Sequence, residues 1–418
     1  MKRPSKKVSL YLQSEIDRGT FPGAQYLIGQ SGEMIASDAL GWAVVEPESI
    51  AADIDTIYDI ASLTKPLITT LLAVKLYERG LIELDALVGD YLADYANAAA
   101  GSTEKEQITL RQLLTHTSGL PPWRPLYLEA QSAADVPHTI ARAPSALSRG
   151  SAARAVVYSD LNYILLGGVI ERVAGRSLRD LTRAEVLEPL GLKRTMFNPP
   201  LDLKRETAAT ERGQAYEMAA IVSAVESGSV SRPKRAAADP GAADDDLVSL
   251  LSRFPALASE GGVEVAPLNP HPLRRTEVIW GEVHDGNAYF LGGAAGHAGL
   301  FSTAREVFII ANQFLPGSEL FDPDSLSLFR HNLTVGCASA RSIGWILAST
   351  PDCSAGPALG PQAFGHTGFT GTSVWIDPLA SRVFVLLTNR IHPEVGKIEM
   401  KEPRQRFHSI AVEDCFGG

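Results

Sequence analysis

The 418-residue sequence has few cysteines and no excess of positive charge, and each shortage excludes classes of protein. Cys337, Cys353 and Cys415 are too few and too far apart for a zinc motif or a dense disulfide scaffold, although three cysteines allow one disulfide bond. The net charge of −10 argues against broad binding to nucleic acid or to an anionic membrane surface. We therefore expect a globular protein of a reducing compartment.

Long apolar runs are also missing. No stretch approaches the roughly 20 apolar residues of a membrane-spanning helix. The basic residues 1–7 lead into an amphipathic helical pattern over residues 8–18, and not into the apolar core of a signal peptide. From these absences we expect a cytoplasmic protein without a membrane span.

Several catalytic motifs do not occur. The sequence contains neither the Gly-x-Ser-x-Gly of α/β-hydrolases nor the His-Glu-x-x-His of metalloproteases. The glycine-rich stretch 292–301 lacks the spacing of a dinucleotide loop, so we expect it to wrap a cleft instead. His116 and the pair His284-Asp285 are candidate bases or ligands, but structural histidines fit the pattern better. We predict no metal and no cofactor.

The order of helical and strand patterns predicts one discontinuous α/β domain with an inserted, mostly helical lobe. The domain comprises residues 1–79 and 290–418, and the lobe residues 80–289. Within the lobe, residues 213–273 have the alanine-rich and charged composition of a mobile surface insertion. The expected strands cover residues 23–29, 33–45, 342–349, 363–367, 372–377 and 382–389.

Ser62 and Lys65 are the strongest candidates for chemistry. They lie three residues apart where a short apolar strand at residues 56–60 turns into a helix, so their side chains share one helix face. A neutral amine beside the hydroxyl would take its proton and make it a nucleophile. A simple N-cap serine is the alternative. A second Ser-x-x-Lys, at Ser231 to Lys234, falls in the charged insertion and is attributed to chance.

Two further segments complete a candidate site. Tyr158-Ser159-Asp160 precedes a predicted helix, and the phenol of Tyr158 would relay the serine proton. Ser159 or Asp160 would equally serve as the N-cap of that helix. His366-Thr367-Gly368 ends a predicted strand, where Gly368 would admit a substrate and the N–H of Phe369 would hold an oxyanion with that of Ser62. A strand-end turn with a partly buried histidine is the alternative.

Taken in this order, the three segments resemble the motifs of serine β-lactamases and penicillin-binding proteins. The resemblance, specifically to the class C β-lactamase-like hydrolases, extends to Leu113–Leu120 and Gly296–Ser302. Val283-His284-Asp285 together with that glycine-rich stretch resembles a subgroup of peptidoglycan-directed amidases, carboxypeptidases and esterases. The resemblance implies an antiparallel sheet flanked by helices. It also implies that Ser62 is acylated, that Lys65 and Tyr158 move protons, and that Thr367 and Gly368 bind substrate.

The sequence departs from the family pattern at two positions. Asp160 stands where an asparagine is usual, and its carboxylate would favour the charged form of Lys65. That would move the role of base towards Tyr158, or would require Asp160 to be protonated. His366 stands where a lysine is usual, so an imidazolium would hold a substrate carboxylate less firmly. Both departures weaken the case for efficient β-lactam hydrolysis.

The resemblance implies a serine hydrolase that acts through an acyl-enzyme on a peptide containing D-amino acids or on a small ester. One alternative is a binding or sensor protein of the same fold that is acylated slowly or not at all, which Asp160 keeps open. Another is a scaffold that recruits partners through residues 213–273. The sequence does not determine the oligomeric state.

Overall fold

The computed structural model describes residues 3–146, 155–226, 275–396 and 398–417. Its strands are β1 (Gly23–Gln30), β2 (Glu33–Val44), β3 (Ile50–Ala51), β4 (Tyr58–Asp59), β5 (Met196–Phe197), β6 (Leu300–Ser302), β7 (Ile346–Leu347), β8 (Phe364–Thr367), β9 (Ser373–Asp377) and β10 (Arg382–Thr388). Its α-helices are α1 (Lys6–Asp17), α2 (Leu71–Glu78), α3 (Val88–Tyr91), α4 (Ala93–Ala99), α5 (Thr103–Glu106), α6 (Leu110–Leu114), α7 (Leu126–Glu129), α8 (Val136–Arg142), α9 (Asp160–Ala174), α10 (Leu178–Thr182), α11 (Ala215–Glu226), α12 (Gly286–Phe290), α13 (Ala304–Asn312) and α14 (Lys401–Phe416).

A seven-stranded antiparallel sheet runs in the order β3-β2-β1-β10-β9-β8-β7. Strand β10 lies at its centre and is apolar from Val383 to Leu387, because both of its faces are covered. Val383, Val385 and Leu387 face the larger core, to which α2, α6, α9 and α13 also contribute. Phe384 and Leu386 face a second core beneath α1 and α14. The pairing of β10 with β1 joins the first and last thirds of the chain into one sheet.

The predicted antiparallel sheet flanked by helices is therefore confirmed. The hairpin from β1 to β2 turns at Ser31 and Gly32, both of which have positive φ. The strand expected at residues 342–349 is reduced to Ile346–Leu347, since the chain around it forms turns. Of the insertion predicted at residues 213–273, Ala215–Glu226 form α11, and residues 227–273 lie outside the described residues. The domain boundaries stay a prediction.

No helix within the described ranges is long and apolar enough to cross a membrane.

A second, three-stranded sheet in the order β4-β6-β5 positions the start of the segment that carries Ser62. Asp59, at the end of β4, pairs with Phe301 of β6. The chain then forms a 3₁₀ turn at Ala61–Leu63, a π-helical stretch at Lys65–Thr70 and α2, which follow one another as one continuous helical segment. The helix predicted to follow the strand at residues 56–60 corresponds to this continuous segment, which ends before Gly80 with its φ of 67°.

Candidate active site

The residue before Ser62 has an unusual backbone. Ala61 adopts a φ of 47°, a left-handed conformation that costs energy for any residue with a Cβ. The buried carboxylate of Asp59 holds this turn, because its Oδ1 accepts the N–H of Ala61 at 2.9 Å. Burial raises the pKa of Asp59. The strained turn places the Ser62 side chain at the wall of a cavity and not in the adjacent core.

Lys65 is completely buried, and its amine makes several polar contacts. Its Nζ donates to Ser62 Oγ at 2.9 Å and to the main-chain oxygen of His297 at 2.9 Å. The same atom lies 2.7 Å from Oδ1 of Asp160, on the first turn of α9. The sequence-predicted pair of Ser62 and Lys65 is thus in direct contact, and Asp160 joins it.

These contacts determine the charge of Lys65. Burial by itself would lower the pKa of the amine, but the carboxylate of Asp160, together with Tyr158, raises it above its ordinary value. Lys65 is therefore an ammonium near neutral pH. Since an ammonium has no lone pair, it donates to Ser62 Oγ and does not accept the serine proton in this state.

Charged and aromatic groups surround Tyr158. Its ring centroid is 5.2 Å from Lys65 Nζ and 5.6 Å from the guanidinium carbon of Arg341. The imidazoles of His116 and His366 pack against the same ring, with centroids 4.5 and 5.7 Å away. Tyr158 itself is partly exposed and lines the cavity with Ser62.

His116 orients the segment that carries Tyr158. Its Nδ1 accepts the N–H of Ser159 at 3.0 Å, so the ring proton belongs on Nε2. Burial lowers the pKa of His116 well below its ordinary value, which makes it a neutral, structural histidine. Ser159 is the N-cap residue of α9 by its backbone, but its hydroxyl donates to the main-chain oxygen of Pro121 instead of capping the helix.

The turn after β8 packs directly on the nucleophile segment. A Cβ at Gly368 would collide with the main-chain oxygen of Ile60 and with Thr372 Oγ1. The glycine therefore allows a close approach within the protein itself, a reason that the sequence did not reveal. Thr367, Gly368 and Phe369 line the same cavity as Ser62, so the two proposed oxyanion donors belong to one site.

His366 differs from its expected role. The side chain is buried, and it is not among the residues that line the cavity. Its Nδ1 lies 2.8 Å from the main-chain oxygen of Thr367, to which it must donate. Burial, together with Arg341 and Lys65, lowers the pKa of His366 well below its ordinary value. The expectation of an imidazolium that holds a substrate carboxylate therefore finds no support in this placement.

The cavity has a volume of about 580 Å³ and walls of contrasting character. Trp123, Tyr216 and Phe369 supply aromatic surface, and the rings of Tyr216 and Phe369 are 4.7 Å apart. Buried or partly buried carboxylates of Asp59, Glu217 and Asp285 line another part. The residues that the structure describes contain no group of three or more side chains suited to hold a metal ion.

The sequence did not predict the contact between Asp285 and His297, which supports Lys65 through the main-chain oxygen of His297. Asp285 Oδ1 lies 2.8 Å from His297 Nε2, and the main-chain oxygen of His297 accepts from Lys65. Burial alone would raise the pKa of Asp285, but His297 lowers it below its ordinary value. The pair His284-Asp285 and the glycine-rich stretch, which contains His297, were recognised as separate motifs in the sequence. Their spacing along the chain does not reveal that Asp285 and His297 are in contact.

The glycine-rich stretch lies against the segment that carries Ser62 and Lys65. Gly296 O accepts from Thr69 Oγ1 at 2.6 Å, and the N–H of Leu300 donates to Thr64 Oγ1 at 3.2 Å. A Cβ at Gly296 would collide with the main-chain oxygen of Tyr163 in α9. Small residues are required here because the stretch passes between two packed helical segments.

The chain is similar to known proteins over nearly its whole length. Residues 10–405 match the family model described as Beta-lactamase. A protein of Escherichia coli O157:H7 named "Putative D-alanyl-D-alanine carboxypeptidase" is 28% identical over 416 residues, which cover 92% of this chain and 82% of that protein.

Two solved structures show the same fold. EstCE1, a hydrolase with promiscuous acyltransferase activity, superposes with a TM-score of 0.67 at 22% identity, with 97% of each chain covered. The class C beta lactamase from Rhodobacter sphaeroides superposes with a TM-score of 0.62 at 18% identity, with 97% of this chain and 99% of that chain covered.

Proposed function

Because the chain belongs to the beta-lactamase family of serine hydrolases, we propose that Ser62 is its acylated nucleophile. The single observation that carries the proposal is the contact of Ser62 Oγ with Lys65 Nζ at 2.9 Å, at the wall of a cavity that Tyr158 and Phe369 also line. A helix N-cap serine needs neither a buried ammonium nor a cavity.

In the proposed acylation step, Ser62 Oγ attacks a substrate carbonyl carbon while Tyr158, as a phenolate, takes the serine proton. Lys65 stays an ammonium and stabilises the negative charge on Ser62 Oγ as the proton leaves. The main-chain N–H groups of Ser62 and Phe369 hold the carbonyl oxygen of the tetrahedral intermediate. When the intermediate collapses, Tyr158 returns the proton to the leaving amine or alcohol.

Deacylation repeats these steps with water as the nucleophile. Tyr158 takes a proton from water, the hydroxide adds to the acyl carbon, and the bond to Ser62 Oγ breaks as the proton returns to the serine. Asp160 and the main-chain oxygen of His297 keep Lys65 charged and in place throughout. Lys65 serves as an electrostatic partner in this scheme, and Tyr158 is the general base.

We propose peptides that end in D-amino acids, or small esters, as the substrate class. The relative named for D-alanyl-D-alanine carboxypeptidase activity supports the first, and the similarity of fold to an esterase-like hydrolase is compatible with the second. The aromatic wall of Trp123, Tyr216 and Phe369 suits an acyl group with apolar surface. Thr367 and Gly368 line the edge along which such a substrate would lie.

The test combines turnover with identification of the adduct. Wild type should hydrolyse p-nitrophenyl acetate through repeated cycles, and mass spectrometry after acid quenching should place the acyl group on Ser62. Ser62→Ala should lose both the adduct and at least about a hundredfold in kcat. Ser118→Ala is a matched control, since its hydroxyl donates to Asn162 and does not line the cavity.

The time course of p-nitrophenyl acetate hydrolysis also distinguishes a hydrolase from a binding or sensor protein. A burst of one equivalent without further turnover would favour a slowly acylated binding protein, whose lysine Asp160 holds too firmly. Unchanged turnover in Ser62→Ala would reject the nucleophile. A panel of D-peptides, esters and nitrocefin then compares the substrate classes.

A further inference from the structure

The structure leaves a positive charge beside Tyr158 that the reaction scheme has not used. From the sequence, the positive charge of this region was expected on His366 of β8, as an imidazolium that holds a substrate carboxylate. That imidazole is buried and neutral, with its Nδ1 proton donated to the main-chain oxygen of Thr367. Yet the scheme asks Tyr158 to carry a negative charge, and a phenolate in a partly buried site needs a compensating cation.

Arg341 lies in position to supply this charge. Its guanidinium carbon is 5.6 Å from the centroid of the Tyr158 ring, and its side chain is only 9% exposed. Its main chain is held firmly, since its N–H donates to Thr334 Oγ1 at 2.8 Å and its oxygen accepts from Leu333 at 2.7 Å. An isolated bridge to Ile346 attaches it to β7, the neighbour of β8 in the sheet.

Arg341 differs from Lys65, the other cation beside the ring, in how its charge is balanced. Lys65 also interacts with Tyr158, but its charge is shared with the carboxylate of Asp160 at 2.7 Å. In the part of the chain that the structure describes, no carboxylate forms an ion pair with Arg341, whose Nε donates to Ser339 Oγ at 3.2 Å. A buried arginine stays charged and is costly unless a negative group faces it.

We propose that Arg341 is the positioning residue whose positive charge stabilises the phenolate form of Tyr158. The groups that face the Tyr158 ring are Lys65, Arg341, His116 and His366. Asp160 follows two residues later, at the start of α9, and pairs with Lys65. Both imidazoles are neutral, and Asp160 offsets part of the charge of Lys65. Arg341 adds a charge that no carboxylate of the described residues offsets, and it acts through Tyr158 because it does not line the cavity. This inference rests on the proposed function, which makes Tyr158 the base.

The first experiment measures Tyr158 directly and requires no turnover. Phenolate absorbance near 295 nm is titrated in wild type and in Arg341→Gln, and the curve of the matching Tyr158→Phe protein is subtracted from each. Removal of the positive charge packed against the ring should move the appearance of the phenolate to higher pH, by about one pH unit for a tenfold change in the ionisation equilibrium. Equal curves in the two backgrounds would overturn the proposal even if the hydrolase proposal holds.

The second experiment reads the same effect in catalysis. In Arg341→Gln, the acid limb of kcat/KM for a neutral ester should shift to higher pH by the same amount. The loss should be about tenfold on the acid side and should disappear at high pH, because the phenolate then forms without help. Arg341→Lys should restore most of the shift. A loss that is equal at every pH would indicate a structural role and would refute the electrostatic one.

Two controls complete the design. Arg330→Gln removes another partly buried guanidinium, for which the described residues show no contact with the Tyr158 ring, and should leave the profile unchanged. A carboxylate-bearing ester is compared with the neutral one. If Arg341→Gln raises KM only for the carboxylate ester and leaves the phenolate titration unchanged, Arg341 binds substrate and the proposal is wrong.

Discussion

Replacement of Asp160 by asparagine tests the charge assignment of Lys65, on which the proposed mechanism depends. The substitution keeps the size of the side chain and removes a negative charge 2.7 Å from Nζ. Coulomb's law with an effective dielectric constant of about 20 gives an attraction of roughly 6 kcal/mol at that distance, an upper figure because Asp160 is partly exposed. A buried ammonium that has lost its partner typically costs 3–5 kcal/mol, so we expect a loss of about 3 kcal/mol in the free energy of unfolding near pH 7.

This loss should depend on pH in a defined direction. In wild type the pKa of Lys65 is raised, so the amine is protonated in the folded and the unfolded chain between about pH 7 and 10 and adds no pH dependence there. In Asp160→Asn burial acts without opposition and lowers the pKa below the unfolded value of about 10.4. The unfolded chain then binds more protons than the folded one, and the stability of the variant rises with pH relative to wild type.

The assay is denaturant unfolding at several pH values between about 7 and 10, with Lys65→Met and Lys65→Met/Asp160→Asn as the matched pair. The difference between wild type and Asp160→Asn should shrink by roughly 2 kcal/mol over this range, since each unit of pH contributes at most about 1.4 kcal/mol per proton. In the Lys65→Met background the same substitution should give a difference that does not vary with pH. A constant difference in both backgrounds would show that Lys65 is not a buried ammonium held by Asp160.

Two further outcomes are expected. Since burial keeps His366 neutral, kcat/KM for a carboxylate-bearing ester and for its neutral analogue should follow the same profile between about pH 5 and 8, and a steeper fall for the carboxylate ester on raising the pH would restore the imidazolium role. Gly368→Ala should displace the turn after β8 from Ile60, lower esterase kcat by about tenfold or more and cost about 1–3 kcal/mol of stability. Its control, Gly168→Ala in α9, meets only ordinary contacts with Leu92 and should fold at least as stably as wild type. Comparable kcat values for the two glycine variants would remove Gly368 from the site.

Local patterns predicted most of the regular structure near the site. The expected strands at residues 382–389 and 372–377 correspond to β10 and β9, because strand-forming residues and turn residues act over only a few positions. The helix predicted after Tyr158-Ser159-Asp160 corresponds to α9, which ends before Gly175 with its φ of 63°. The strand expected at 342–349 shrank to two residues, because Gly344 with its φ of 81° belongs to a turn that packs on Thr70.

The contact between Ser62 and Lys65 was determined by the sequence itself. Two side chains three positions apart in a helical segment meet wherever that segment lies, and a strand-to-helix junction exposes the first of them. The order of Ser62, Tyr158 and His366 indicated the family for the same reason, since each belongs to a short local motif. The antiparallel fold followed from that family resemblance.

Tertiary structure alone decided the charges at the site. Asp160 faces Lys65, Arg341 faces Tyr158 and His366 turns away from the cavity, although the sequence separates these residues by tens to hundreds of positions. Charge states depend on burial and on neighbours within a few ångströms, and neither can be read from a motif. The sequence determines which residue types are present. The protonation states that make them donors or acceptors are set only when distant segments pack together.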